Sequence, residues 1–290
     1  MNVDINIFIN SIKSLNAFWF ASSILCFLIS LIIVPYKWFK ILAFNNQNFN
    51  FTTIFKVNLI SSYYNQILPT RIGGDSIKYI ILSKNFEINK MILTSSIIVD
   101  RIFNLFCIFL IAVFASFFFK YNNFYDSSIL IIFFFFFFFL LVLAFIPAII
   151  KNIPQNNFII KFYFKYTSIL RSIIKSYNQM IFILIFSFLY TLLTFYMNFC
   201  VGKALDINIP FSYYLTFLPI ISIATIIPIS FSGFGIREGG FIYFLNLLNV
   251  SNEKALALSI LTYIIAATLS FPGIFFINSF GKNFDSQNNT

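Results

Sequence analysis

Six long apolar runs dominate this chain, at about 17–34, 92–118, 128–150, 178–200, 211–228 and 255–280. Most approach or exceed the roughly 20 residues that cross a bilayer as a helix. Shorter apolar runs lie at about 52–68 and 238–249. A soluble helical core would need polar stripes at helical spacing, which most of these runs lack. The expected fold is therefore an all-α polytopic membrane protein. Hydrophobic residues make up 60% of the 290, and 45 are Phe, a load that a soluble domain of this length does not hide.

The scarce charges orient the runs. Net charge is +10. In a chain this apolar the excess reads as cytoplasmic loops obeying the positive-inside rule, and not as a nucleic-acid surface. The run 17–34 is followed by Lys37 and Lys40 and reads as a signal-anchor helix without a cleavage site. Both flanks of 52–68 are basic, with Lys37, Lys40 and Lys56 before the interruption and Lys78, Lys84 and Lys90 after it. A segment that dips in and returns removes that conflict, so helix 52–68 is expected to dip in from the cytoplasm, break at Pro69–Gly74 and return as a re-entrant hairpin. The same logic makes 211–249 a second hairpin, entered from the opposite face. The whole reads as a helical bundle with two Pro/Gly-broken re-entrant hairpins in an inverted repeat, the pattern of many secondary transporters. It forms one transmembrane domain over 1–290. The first half is about 17–150 and the second about 178–280. Between them, 157–177 carries Lys161, Lys165, Ser168, Ser172 and Lys175 on one face. It is expected to be an amphipathic helix on the inner leaflet. The seven-Phe run Phe133–Phe139 reads as lipid-facing bulk.

Two stretches carry the interruptions: "NQILPTRIGGDSIKY" at 65–79 and "IIPISFSGFGIREGG" at 226–240. Six of the nine glycines fall there: Gly73, Gly74, Gly233, Gly235, Gly239 and Gly240. Glycine permits sharp turns and close backbone approach. Pro69 and Pro228 each remove a helical donor. A new helix N-terminus beside an arginine suits a phosphate, so Arg71 and Arg237 are expected to touch substrate. A charge at mid-membrane costs about 2.5–3.5 kcal/mol on insertion scales, which makes each such residue a functional candidate. The set is Arg71, Asp75, Asp100, Arg101, Arg237 and Glu238. Asp75 and Lys78 fall one turn apart and can pair. Asp100 and Arg101 point about 100° apart and need separate partners; for Arg101 these are Asp75 or Glu238. Ion pairs that merely hold the bundle together are the competing reading, most strongly for Asp100.

Other chemistry is thin. There is no histidine, which removes most metal sites and the usual general base. Cys26, Cys107 and Cys200 all lie in apolar runs and read as small buried hydrophobes. No nucleotide-binding loop, catalytic set, metal site or cofactor motif is expected.

Four segments in order, "KWFKIL", "LPTRIGGDSIKY", "DRIFNL" and "PISFSGFGIREGG", give the chain a family likeness over roughly 17–280. It resembles the membrane domain of the lysylphosphatidylglycerol synthase/flippase family. The resemblance implies movement of lipids with charged or glycosylated head groups between leaflets. It also implies that the two broken hairpins form a central cavity. Arg71, Gly73, Gly74, Asp75, Arg101, Arg237 and Glu238 match the family's motif residues; Gly233 and Gly235 join the expected substrate site from the glycine pattern. Family members usually begin with one further transmembrane helix, and bifunctional members carry a soluble aminoacyl-transfer domain. This sequence opens on "MNVDINIFINSIKSLN", which reads as the segment after that helix, and no counterpart of the soluble domain is read in it, so lysyl transfer is not expected of this chain alone. The leading expectation is a non-enzymatic lipid flippase in a bacterial cytoplasmic membrane. Its partners would be membrane lipids with anionic or phosphate-bearing head groups, and a second copy or a partner enzyme. The alternatives are a membrane-embedded enzyme using Asp75 and Glu238 as acid and base, and an accessory subunit.

Overall fold

A computed structural model describes residues 5–68, 73–118, 168, 176–226 and 233–280. Apolar length sets the first level of organisation. Four helical stretches are long and apolar enough to cross a membrane: Ala17–Ala43, Lys90–Ala115, Tyr177–Ala204 and Asn252–Phe280. At 1.5 Å per residue, the 27 residues of the first reach roughly 40 Å. Many of their apolar side chains point outward, including Leu25, Ile32, Phe114, Ile185, Ile264 and Phe275. That is the surface a lipid solvent requires.

The described helices are α1 (Ile5–Lys13), α2 (Ala17–Ala43), α3 (Phe51–Ile67), α4 (Gly73–Asn85), α5 (Lys90–Phe118), α6 (Tyr177–Ala204), α7 (Phe211–Ala224), α8 (Ile236–Asn246) and α9 (Asn252–Ser270). A 3₁₀ turn, Phe271–Phe276, continues α9. Their order repeats: long, short, short, long in α2–α5, and again in α6–α9. The packing repeats with it. α2 lies along α6. α5, which closes the first set, packs on α7 of the second, while α9 and its 3₁₀ turn pack on α3 of the first. Each set thus lends its last long helix to the other set's hairpin. The short helices α3 and α4 pack on each other, as do α7 and α8. Both pairs are helical hairpins whose members are shorter than the roughly 20 residues of a typical membrane span.

Local signals fix the ends. Asn16 starts α2 by accepting from the Phe18 and Trp19 amides at 3.1 and 3.3 Å. Ser251 starts α9 in the same way through the Lys254 amide. Hydroxyls inside the spans bond to carbonyls on the preceding turn, as Ser30 does to Phe27, Thr191 to Ser187 and Thr262 to Ser259. No polar hydrogen is left to hydrocarbon at those positions. The apolar core has two centres. One surrounds Trp38, Ile54, Leu82 and Val99; the other surrounds Phe195, Tyr214, Phe217 and Phe241.

The first helix corrects the sequence reading. It does not end near Val34 but runs to Ala43 with Pro35 inside it. Lys37 is therefore not a loop base: it is fully buried. The proline did not act as a stop because a membrane helix tolerates a missing backbone bond when neighbouring helices pack around it. All three cysteines are buried and free, as expected. The expected helices at 128–150 and 157–177, and the run Phe133–Phe139, lie outside the described residues apart from Ser168, Ser176 and Tyr177.

Candidate functional site

The site is a cavity of about 290 Å³ between the two hairpins. It is walled by α2, α3, α4, α5, α6, α7, α8 and α9. Its wall is polar for a place so deep in an apolar bundle. Asn58, Ser61, Asn65 and Gln66 come from α3, Asn104 from α5, Thr194 and Asn198 from α6, and Ser222 from α7. Lys78, Arg101 and Arg237 supply positive charge, and Asp100 supplies one carboxylate.

The first hairpin is built by close backbone approach. Gly74 sits so near α3 that a Cβ there would lie 2.4 Å from the Ser61 carbonyl oxygen. Its amide donates to Asn65 Oδ1 at 3.0 Å, which fastens the start of α4 to α3. The next residue, Asp75, receives the Arg101 Nε–H at 2.6 Å and pairs with Lys78, one turn on, at 3.5 Å. Lys78 in turn lies 5.1 Å from the centroid of the Trp38 ring, whose indole donates to Ser96. Arg101 is tied at one edge, yet 45% of its side chain is open, and it opens into the cavity. Of the two partners expected for Arg101, the structure uses Asp75.

Asp100 takes a partner that the sequence reading placed in a loop. Lys37 Nζ lies 2.9 Å from Asp100 Oδ1 and donates to Asn104 Oδ1 at 2.5 Å and to Ser187 Oγ at 3.0 Å. Two of the ammonium's three hydrogens thus have hydrogen-bond acceptors, Asn104 and Ser187. The contact with Asp100 is a charge contact and not an aligned hydrogen bond, since Oδ1 has no hydrogen-bonded donor. Asp100 faces the cavity, and Lys37 stands behind it.

The second hairpin is built by a left-handed turn. Gly233 and Gly235 have φ of +83° and +85°, a region that favours glycine. Glu238 then reaches back and accepts the Gly235 amide at 2.6 Å. Its other oxygen receives Arg237 Nη2 and the Ser259 hydroxyl, both at 3.0 Å. Arg237 Nε–H donates to the same Ser259 at 3.1 Å. The guanidinium lies 5.5 and 5.2 Å from the ring centroids of Phe234 and Tyr263. Arg237, Glu238 and Ser259 form a closed triangle that holds the arginine on the cavity wall.

The expected site residues divide as follows. Arg101 and Arg237 both line the cavity wall. Asp75 and Glu238 stand behind them as their counter-ions. Gly73, Gly74, Gly233 and Gly235 shape the hairpin turns. Arg71, Pro69 and Pro228 lie outside the described residues. The amides of Gly74 and Gly235 are met by Asn65 and Glu238, so positive charge reaches the cavity through side chains more than through those two helix starts. Lys37, Asn65, Ser259 and Tyr263 were not expected. A buried Asp100 needing its own cation was the available signal for Lys37. Among the described residues no three carboxylate or cysteine side chains gather as a metal would require.

Residues 1–273 match the family described as the lysylphosphatidylglycerol synthase TM region. The chain belongs to that family. The match runs from α1 through both hairpins to the start of the 3₁₀ turn, so every site residue above lies within it. It is a multi-pass membrane protein of that family. No curated protein and no solved structure matches it.

Proposed function

We propose that this protein moves membrane lipids between leaflets by admitting their head groups to the cavity between its hairpins. One observation carries the proposal: Arg101 from one half and Arg237 from the other line the same polar cavity. Phosphate is the common charge of lipid head groups, and guanidinium is the side chain best shaped to bind it. A volume of about 290 Å³ falls at the small end of ligand sites, roughly 300–1,000 Å³. It suits a head group whose acyl chains stay in the lipid. The family's name, which concerns a phospholipid, agrees with this reading.

The hairpins are the elements proposed to be re-entrant, entering from opposite faces. Tilting the two sets of helices against each other would expose the cavity to one leaflet and then the other. The protein is proposed to act without covalent chemistry. Asp75 and Glu238, the acid and base of an enzymatic reading, are each engaged by an arginine and stand off the cavity wall. A bacterial cytoplasmic membrane, and a partner enzyme or second copy, complete the proposal.

The test is exchange in sealed liposomes holding the purified protein and trace fluorescent phospholipids, read by dithionite bleaching of the outer leaflet. Exchange above that of empty liposomes, lost in Arg101→Ala and Arg237→Ala, supports the proposal. Exchange at the empty-liposome rate across all head groups rejects it. Chemical conversion of lipid in detergent micelles, where no leaflets exist, would support an enzyme instead.

A further inference from the structure

We propose that Cys26 and Cys200 are a modification site: a hydroperoxide entering the membrane converts the two thiols to a disulfide and so clips α2 of the first half to α6 of the second. The lipid-transport reading uses neither cysteine, and this inference does not depend on it.

Placement comes first. α2 and α6 run antiparallel, with Tyr36 against Phe182 near one end and Trp19 against Phe199 near the other. The bond from Lys37 to Ser187 fixes their register. Cys26 lies eleven residues back from Lys37, and Cys200 lies thirteen residues on from Ser187. At about 1.5 Å per residue the two heights agree to within about 3 Å. The two thiols lie within hydrogen-bonding reach of each other. The Tyr196 phenol, one turn before Cys200, reaches the Cys200 thiol as well. The face of α2 at this level is made of small residues: Ser23, Cys26 and Ser30 recur at three- and four-residue spacing, all buried. Small side chains let membrane helices approach closely. A disulfide needs that approach, with Cα atoms no more than about 7 Å apart.

Access is ordered. Cys26 lines the cavity, while Cys200 is fully buried and off the cavity wall. A small oxidant in the cavity therefore meets Cys26 first. Cys107 is the contrast. It is also buried, but its thiol turns to the Leu184 carbonyl at 3.8 Å, and the other two thiols pair with each other and not with it.

The reaction has two steps. The Cys26 sulfur attacks a peroxide oxygen; an S–O bond forms, the O–O bond breaks, and the thiol proton leaves with the other oxygen as an alcohol. Cys26 is then a sulfenic acid. The Cys200 sulfur attacks that sulfur; the S–S bond forms, the S–O bond breaks, and the departing hydroxyl takes the Cys200 proton as water. Two thiols have been oxidised and one hydroperoxide reduced. What the fold supplies is proximity, since the second thiol is already in place when the sulfenic acid forms. The bridge would join positions 174 residues apart, a long loop whose closure stabilises the folded chain.

The full-length protein in detergent micelles would be treated with tert-butyl hydroperoxide, then unfolded and capped with N-ethylmaleimide without reductant. Untreated protein should take up a maleimide at each of its three cysteines. Treated protein should take up one, at Cys107, with peptide mapping placing the bridge between Cys26 and Cys200. The thermal midpoint should rise on oxidation and fall back with dithiothreitol. Cys200→Ser should leave Cys26 as a sulfenic acid that dimedone traps, and Cys26→Ser should leave Cys200 unreacted. Three maleimides on treated, unaltered protein overturn the inference. So does a bridge that includes Cys107 or joins two molecules, and so does sulfinic acid at Cys26 with Cys200 still free. A complete bridge that leaves the midpoint unmoved overturns its role as a clip.

Discussion

Tyr263 donates its phenol hydroxyl to the carbonyl of Gln66 at 2.9 Å, and its ring lies 5.2 Å from the Arg237 guanidinium. Gln66 is one residue from the end of α3, beside the break of the first hairpin. Arg237 is the second residue of α8, beside the break of the other. One side chain on α9 therefore touches both interruptions, which are 171 positions apart in sequence as 66 and 237. The link runs through a single side chain, and it can be removed in two stages.

Tyr263→Phe keeps the ring beneath Arg237 and deletes the bond to Gln66. A single hydrogen bond contributes about 0.5–1.5 kcal/mol, so the fold should survive with a modest loss of thermal stability. Binding of anionic lipid should persist while exchange between leaflets changes rate, since the hairpins lose a tie and the phosphate contact stays. Tyr263→Leu removes the ring as well and should weaken binding too. Identical behaviour of the two variants in both assays would show that the hydroxyl does not link the hairpins.

The pair formed by Lys37 and Asp100 predicts an asymmetry between single and double substitutions. Lys37→Met leaves Asp100 as a carboxylate without its cation, and breaking a buried pair this way costs about 3–5 kcal/mol. Lys37→Met with Asp100→Leu removes both charges and should recover most of that loss. A fluorogenic thiol reagent during heating provides the readout, because Cys26, Cys107 and Cys200 are all buried in the folded protein. A double variant as unstable as the single one would mean that Asp100 needs its charge for something other than Lys37.

Glycine 74 is predicted to be the intolerant position of the first hairpin. A methyl group there meets the Ser61 carbonyl oxygen at 2.4 Å and the Asn65 side chain at 2.5 Å. Backbone must move, so Gly74→Ala should cost about 1–3 kcal/mol, in the range of overpacked cores. Gly239 is the control. It lies within α8 and a Cβ there meets nothing within 4 Å. Gly239→Ala should be neutral or stabilise by up to about 1 kcal/mol through helix propensity. Thermal unfolding of both variants checks the contrast.

What could be read in advance was whatever rested on length, spacing and composition. Apolar run length placed the four described long helices, and the Pro/Gly stretches marked where the short helices end and begin. The cost of mid-membrane charge singled out Asp75, Asp100, Arg101, Arg237 and Glu238, and helical spacing foresaw the Asp75–Lys78 pair. Partners distant in sequence were harder. Lys37 looked like a flanking base because the apolar run before it ends at Val34, and only packing against α5 and α6 shows it inside. Asn65 and Ser259 are ordinary polar residues in a sequence. They acquire roles because Gly74 and the Gly235 turn bring new partners within hydrogen-bond distance. For Glu238 the signal was there in part: a Glu three residues after Gly235 is spaced to cap the turn, and that capping competes with any pairing to Arg101.

That capping arrangement makes the final prediction, which concerns the shape of Arg237 more than its charge. Its Nε–H goes to Ser259, Nη2 goes to Glu238, and its plane lies near the rings of Phe234 and Tyr263. A lysine carries the same charge but cannot donate in two directions from a fixed plane. Arg237→Lys should therefore lose about ten-fold or more in affinity for phosphate-bearing lipid, because it keeps the charge and loses the fork. Arg237→Gln, which loses both, should bind more weakly still. Retention of lipid by the two variants, measured side by side, distinguishes these outcomes. If Arg237→Lys bound anionic lipid as tightly as the unaltered protein, the guanidinium would be acting as a simple point charge, and its triangle with Glu238 and Ser259 would serve only to hold α8 against α9.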